Sequence, residues 1–204
     1  MNVCERRKLV FLHITKTAGV SIGEALGFGS KVSDAQHDVA MDAAERYADY
    51  LRLCFVRNPW ARALSGFRYT RRMVEKGVVK SDPARLFIES RPTVDFRAFV
   101  ADFLQGAEIN RILHFRQQMV WIRRGQPQFI GRVERMDADV AALSRLLGEP
   151  LPVRRLNASA PGEALEDAYD DRTRAIVGRL YRDDVRFLNY RFPASGVDGG
   201  DTDG

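Results

Sequence analysis

Apolar residues along the chain fall into short runs separated by longer amphipathic stretches, and the two spacings predict different elements. Residues 8–14 (KLVFLHI), 52–57 (RLCFVR) and 128–133 (QFIGRV) are too short for helices and read as buried strands. A further short strand is predicted over 151–156. Helical spacing predicts helices over 20–26, 38–50, 94–104, 137–147 and 171–189, with Gly148 closing the fourth. Asn58 followed by Pro59 marks another helix start, because Asn caps free amides and proline is preorganised for a first turn. This helix is expected to run to about residue 76 and stop at Gly77. Residues 81–92 read as a loop with a short turn of helix, and 108–124 fit neither pattern cleanly. Buried strands alternating with helices predict one α/β domain over 1–193. Its expected form is a P-loop-like three-layer sandwich with a central parallel sheet flanked by helices. Residues 194–204, rich in Gly and Asp, read as a disordered tail.

Composition narrows the class. The chain has 204 residues, 45% of them hydrophobic and 29% charged, which suits one globular domain with a real core and excludes a disordered chain. No apolar run is long enough to span a membrane, and the first one, after the polar start, is too short for a signal-peptide core, so a cytoplasmic protein is expected. Two cysteines and three histidines assemble no zinc spacing, so no metal site is expected. The net charge of +5, mostly from arginine, points to an anionic partner. No helix-turn-helix, OB or RRM signature supports a nucleic acid in that role.

Two strand ends carry candidate chemistry. His13-Ile14-Thr15-Lys16-Thr17-Ala18-Gly19-Val20-Ser21 follows the first strand and opens a helix, where amides lack partners and the helix dipole favours an anion. Gly19 admits close approach of the backbone, Lys16 supplies a mobile charge, and Thr17 and Ser21 supply hydroxyls. This describes a phosphate cradle, and equally a plain strand-to-helix turn with an exposed lysine. It is not a Walker A loop, because the lysine precedes the glycine. In Cys54-Phe55-Val56-Arg57-Asn58-Pro59-Trp60-Ala61-Arg62-Ala63-Leu64-Ser65 the second strand ends at Arg57, where open α/β sheets bind ligands. The planar guanidinium fork suits a phosphate, and Ser65, two turns on, can reach the same anion. A strand-end salt bridge and a surface serine fit these residues as well.

Together the segments resemble the PAPS-dependent sulfotransferases, in particular the branch of carbohydrate and heparan-sulfate O-sulfotransferases. HITKTAGVS is similar to that family's 5′-phosphosulfate loop, usually HIPKTAGTS, and CFVRNPWARALSGF to its 3′-phosphate segment, usually FVRNPYDRLVSAY. FIGRVERMDAD (129–139), LNAS (156–159) and the terminal YRDDVRFLNYRF are weaker echoes, in the same order along the chain. The resemblance implies metal-free, in-line transfer of a sulfuryl group from PAPS, 3′-phosphoadenosine-5′-phosphosulfate, to a hydroxyl or amine. It implies that Lys16 neutralises charge on the leaving oxygen, that Lys16, Thr17, Ala18, Gly19, Val20 and Ser21 hold the 5′-phosphate, and that Arg57 and Ser65 hold the 3′-phosphate. Asn157 and Ser159 either touch the cosubstrate or form a simple turn. Three positions depart from the pattern. Thr15 replaces proline and is expected to loosen the turn, Val20 replaces a hydroxyl residue, and Ala61 replaces an aspartate.

A general base near neutral pH is most simply a histidine. His13 reads as structural, and His37 resembles the base of relatives that carry a histidine at the head of the following helix; Glu134 is the alternative, with pairing to Arg132 or Arg135 as its plainer role. Trp60, Phe67 and Tyr69 alternate with arginines and read chiefly as helix packing. Arg111, His114, Arg116, Arg123 and Arg124 form either a basic acceptor channel or a solvated face. The expected acceptor is a small molecule or a carbohydrate. Two other functions stay open: an ATP-dependent phosphotransferase, which needs a magnesium carboxylate where this chain has Arg57, and a nucleotide-binding domain without turnover.

Overall fold

The computed structural model describes residues 1–29, 37, 42–78, 82–153 and 165–193. Its sheet runs in the order β1 (Asn2–Cys4), β2 (Leu9–Leu12), β3 (Leu51–Val56) and β4 (Phe129–Arg132). β2, β3 and β4 are parallel, as the hydrophobic pattern predicts. β1 is antiparallel to β2, with Val3 opposite Val10, so the sheet is mixed rather than parallel. Three residues are too few for alternation to register in the sequence, which is why β1 escapes the pattern. No strand forms over the described part of 151–156, and its remainder lies outside the described residues, as do Asn157, Ser159 and 194–204.

Both faces of the sheet are covered. Leu9, Phe11, Leu53 and Phe55 point to one side, against Ile22 and Leu26 of the α1 region (Gly19–Ala25) and a leucine of a later helix, Leu143. Val10, Leu12, Cys54 and Val56 point to the other, against Ala43 of α2 (Ala43–Arg46), Met119, Trp121, Leu188 and Tyr190. This alternation is the period of two expected of strands buried on both faces. Gly131 of β4 is required by the packing, since a Cβ there would lie 2.4 Å from the Phe55 ring.

α3 (Pro59–Glu75) starts as predicted: the Asn58 side chain accepts from the amides of Trp60 and Ala61. The described part of 81–92 is mostly helix rather than loop. α4 (Pro83–Ser90) begins at Asp82, whose carboxylate accepts from the amides of Ala84 and Arg85, an acid–proline start of the same kind as Asn58–Pro59. α5 (Phe96–Asp102) is shorter than predicted, and the unassigned 108–124 stretch yields α6 (Gln118–Gly125). α7 (Met136–Leu147) ends at Gly148 in the left-handed conformation, φ 71°. The predicted 38–50 helix is confined, among the described residues, to α2. α3, α4, α5 and α8 (Asp171–Leu180) bury Trp60, Phe67, Ile88, Phe99, Ile176 and Val177 in a separate helical core. Among the described residues no helix is long and apolar enough to cross a membrane.

The predicted 171–189 helix is broken at Tyr181, so α9 (Arg182–Phe187) is a separate element. The break has a cause: the buried Tyr181 hydroxyl donates to the carbonyl of Phe115 at 2.7 Å. It also turns Asp184, wholly buried, onto the start of α6, where its carboxylate accepts from the amides of Gln118 and Met119, each at 2.9 Å. No side chain of α6's own N-cap does this work. Removing that carboxylate strands buried donors, so Asp184→Ala is expected to cost about 3 kcal/mol. The measurement is chemical and thermal unfolding, with a fall in Tm of roughly 6–12 °C; an unchanged Tm would show that α6 needs no cap from α9.

Candidate active site

The three parallel strands end on one edge, and the loop after β2 is the first part of the site. Lys16 and Ala18 both adopt the left-handed region, φ 65° and 59°, which is costly for residues other than glycine and persists only where neighbours enforce it. Several neighbours do so. The Thr17 hydroxyl donates to the carbonyl of Ile14 at 2.9 Å, so its proton is committed to the loop itself. Gly19 packs against the His13 ring, where an added Cβ would lie 2.0 Å from Cδ2 and Nε2. Among the described residues, no amide from Lys16 to Val20 donates to a main-chain carbonyl, whereas that of Ile22 donates to Ala18 at 3.1 Å. Consecutive orphan amides in an alternating right- and left-handed turn form a concave nest of donors, which suits an anion. Val20 is half-buried and Ser21 is buried in the first turn of α1.

Thr15 does not loosen this turn. Its carbonyl accepts from Arg62 Nε at 2.9 Å, its hydroxyl accepts from Arg62 Nη2 at 3.1 Å and donates to the carbonyl of Leu113 at 3.0 Å. Hydrogen bonds replace the stiffness that a proline would give.

The second part is the β3–α3 junction. Gln118 holds the backbone of Arg57 from both sides, accepting from its amide at 2.8 Å and donating to its carbonyl at 2.9 Å. Asn58 donates through Nδ2 to the carbonyl of Arg191 at 2.8 Å, and its amide donates to Glu134 at 2.6 Å. With its main chain fixed, the Arg57 guanidinium makes no hydrogen bond among the described residues. Ser65 is half-buried on α3.

Positive charge converges between the two parts. The Lys16 ammonium lies 4.0 Å from the centre of the Tyr69 ring. Burial, and then the fields of Arg72, Arg57 and Arg62, bring its pKa down to about 8. Burial also lowers the Arg57 pKa; Glu134 opposes that fall, while Arg62 and Arg68 add to it. Arg68 and Arg72 form no ion pair with a described carboxylate. This is an array of cations suited to an anion carrying more than one negative charge.

Glu134 is not paired with Arg132 or Arg135, contrary to the simplest reading of the sequence. One oxygen accepts from the Asn58 amide and the other from the Tyr190 hydroxyl at 3.0 Å, while Arg132 donates to Leu188 and Arg135 to Asp139. Both oxygens serve as braces for the junction. His37 is buried, with Nδ1 2.9 Å from the carbonyl of His13 and its own carbonyl accepting from Trp121 Nε1 at 2.6 Å. Only the Nδ1–H tautomer satisfies that contact, so Nδ1 carries a proton. The His13 ring lies edge-on to His37, and burial, then the neighbouring His37, lowers the His13 pKa to about 3, so His13 stays neutral.

Trp60 and Phe67 belong to the helical core, as expected, but Tyr69 belongs to the site beneath Lys16. Arg111 and Arg123 are paired with Glu108 and Asp183, and His114 packs on Tyr69. Gln118 was invisible in the sequence, because its partners lie 61 and 66 residues away. Among the described residues, no group of three or more His, Cys, Asp or Glu side chains converges to hold a metal. A groove of about 450 Å³ between α7 and residues 150–153 is lined by Met136, Val140 and Leu151, and none of the cationic residues reaches it.

The cation array makes a prediction that needs no ligand. Acylation of Lys16, followed peptide by peptide against pH, is expected to be half-maximal near pH 8 rather than near the ordinary lysine value of 10.5. Added inorganic phosphate should move the midpoint up, because a bound anion favours the ammonium form. A midpoint near 10.5 without phosphate would show that the arginines do not converge on Lys16.

The chain matches the profile of the sulfotransferase family over residues 1–191, a span that takes in both parts of the site. No curated protein and no solved structure is significantly similar to it. With a mostly parallel sheet, the two strand-end segments in the expected order and a family match over nearly its whole length, this chain belongs to the sulfotransferase family.

Proposed function

We propose that the protein transfers a sulfuryl group from PAPS to a hydroxyl or amine of a small molecule or carbohydrate, without a metal. The observation that carries this reading is the convergence, around a nest of orphan amides, of Lys16 and an Arg57 whose guanidinium makes no hydrogen bond among the described residues. A magnesium-dependent phosphotransferase would want a carboxylate where Arg57 stands.

The residues present fit the donor. Bound PAPS would bring a sulfuryl group already attached to a phosphate leaving oxygen, together with a 3′-phosphate that ATP lacks. The amides from Lys16 to Val20 would hold the 5′-phosphate end, with Ser21 at the start of α1 beside them. The Thr17 hydroxyl contributes its lone pairs only, since its proton is engaged by Ile14. Arg57 and Ser65 would hold the 3′-phosphate, with Arg68 adding charge. Lys16 would neutralise the negative charge that grows on the leaving oxygen, and an anion beside it raises its pKa so that it stays protonated. His37, whose Nδ1 donates to the His13 carbonyl, would take the acceptor's proton at Nε2. Glu134, whose two oxygens brace Asn58 and Tyr190, is the poorer base. The fold positions charge rather than supplying a covalent nucleophile. P-loop-like architecture and a cytoplasmic location belong to this same reading.

The first test is calorimetric titration with adenosine 3′,5′-bisphosphate without metal. Micromolar binding is expected, weakened roughly 100-fold by Arg57→Ala, the scale of losing a charge-assisted phosphate contact. Binding of magnesium-ATP with equal affinity, indifferent to a 3′-phosphate, would favour the phosphotransferase instead. The second test concerns the base. Once an acceptor is found, His37→Ala is expected to lower kcat by about 10²–10⁴ while leaving bisphosphate affinity unchanged; equal loss in the binding titration would assign His37 to the fold rather than to proton transfer.

A further inference from the structure

Arg62 is the one charged side chain of α3 with no exposure at all, and it forms no ion pair with a described carboxylate. Burial lowers its pKa, with Tyr181 and Asp184 opposing, and its Nη1 has no hydrogen-bond partner. A buried arginine with an orphan nitrogen costs stability, so its retention calls for a reason. The geometry supplies one. The Nε and Nη2 edge of the guanidinium closes on a single residue, Thr15, through the carbonyl at 2.9 Å and the hydroxyl at 3.1 Å. Thr15 immediately precedes Lys16, and its hydroxyl passes the connection on to Leu113 at 3.0 Å. Arg62 in turn rides one turn into the helix that begins beside Arg57 and carries Ser65 and Tyr69.

We propose that Arg62 and Thr15 form a brace that positions the Lys16 loop on α3, so that the two halves of the anion site move as one body. Arg62 is a positioning residue in this scheme and touches no ligand. Arg57, just before α3, and Ser65, within it, lie on one side of the brace, and the left-handed Lys16 and Ala18 on the other. The fork matters as well as the charge, because an ammonium cannot present two donors in fixed parallel geometry to a carbonyl and its own residue's hydroxyl. The brace depends on a hydroxyl here: proline at the same place would stiffen the turn but offer Arg62 no hydroxyl. The consequence for the nucleotide, which rests on the donor reading above, is that 5′ and 3′ phosphates are held at a fixed span.

The test uses the intact chain with Thr15→Ser, Thr15→Val and Arg62→Lys, each first checked for folding by circular dichroism. Thr15→Val is nearly isosteric but removes the hydroxyl, Thr15→Ser keeps it, and Arg62→Lys keeps the charge while losing the fork. The primary readout is the pH midpoint of Lys16 acylation, which reports whether Lys16 still sits among Arg57, Arg62 and Arg72 over Tyr69. The midpoint is expected to rise by roughly one unit in Thr15→Val and Arg62→Lys and to stay at the wild-type value in Thr15→Ser. Folded Thr15→Val and Arg62→Lys proteins with the wild-type midpoint would overturn the brace; should Thr15→Val fail to fold, Arg62→Lys decides alone. The second readout is bisphosphate affinity, expected to weaken about tenfold in the same two variants and to be unchanged in Thr15→Ser. A shifted midpoint in a protein that does not bind the bisphosphate at all would uphold the brace and remove the donor reading, so the two fail separately.

Discussion

Repulsion among like charges at the edge of the sheet is the constraint to which the rest of the site answers. Lys16, Arg57 and Arg62 lie within one another's fields, and Glu134 is the carboxylate that offsets them at Arg57. Two unit charges about 5 Å apart repel by roughly 3 kcal/mol at an effective dielectric near 20. That is a large part of the stability of a typical domain. The fold opposes it by fixing main chain rather than by pairing charges. Gln118 grips Arg57 at both its amide and its carbonyl, Asp184 holds Gln118, and Glu134 holds the Asn58 amide. Among the described residues, the Arg57 guanidinium and the Lys16 ammonium are thereby left without a carboxylate partner. A polyanion bound as proposed would relieve that repulsion.

How much of this was legible in the sequence follows from the range of each interaction. The strands β2, β3 and β4, the start of α3 at Asn58–Pro59 and the end of α7 at Gly148 depend on neighbours within a turn or two, and they were readable. α4 carries the same kind of start at Asp82–Pro83, so its signal was present and was outweighed by the polar residues around it. α6 has no cap of its own and takes one from Asp184, 66 residues on, which no local pattern can announce. The loop of Lys16 was recognised from its residue types, but what holds it was not. Thr15 looked like a loss of rigidity because its partner, Arg62, lies 47 residues away. Glu134 looked like the partner of its neighbours Arg132 and Arg135, whereas tertiary contacts turn it to Asn58 and Tyr190.

α3 belongs to two bodies at once. Its first residue follows directly from the β3 edge, while Trp60, Ala63, Leu64 and Phe67 are buried in the helical core with α4, α5 and α8. The segment after α9 is tied to the same place, by the carbonyl of Arg191 on Asn58 and the ring of Phe192 on Trp60 and Tyr169. The candidate site therefore occupies the seam between the sheet and the helical core. Both of its segments leave adjacent strands of the sheet, and the second continues into the helical core as α3.

The short antiparallel strand β1 has a bearing on this seam that its size conceals. By pairing with β2 it converts what would be a sheet border into an interior strand, with β1 on one side and β3 on the other. Main-chain amides of interior strands open to solvent only in the largest unfolding events, and they are the slowest to exchange their hydrogens for deuterium. The loop of Lys16 is continuous with β2, so its strained conformation is rooted in what should be one of the last parts of the molecule to open. Motion that reaches the lysine must then come from the α3 side, through Arg62 and Tyr69, rather than from its own strand.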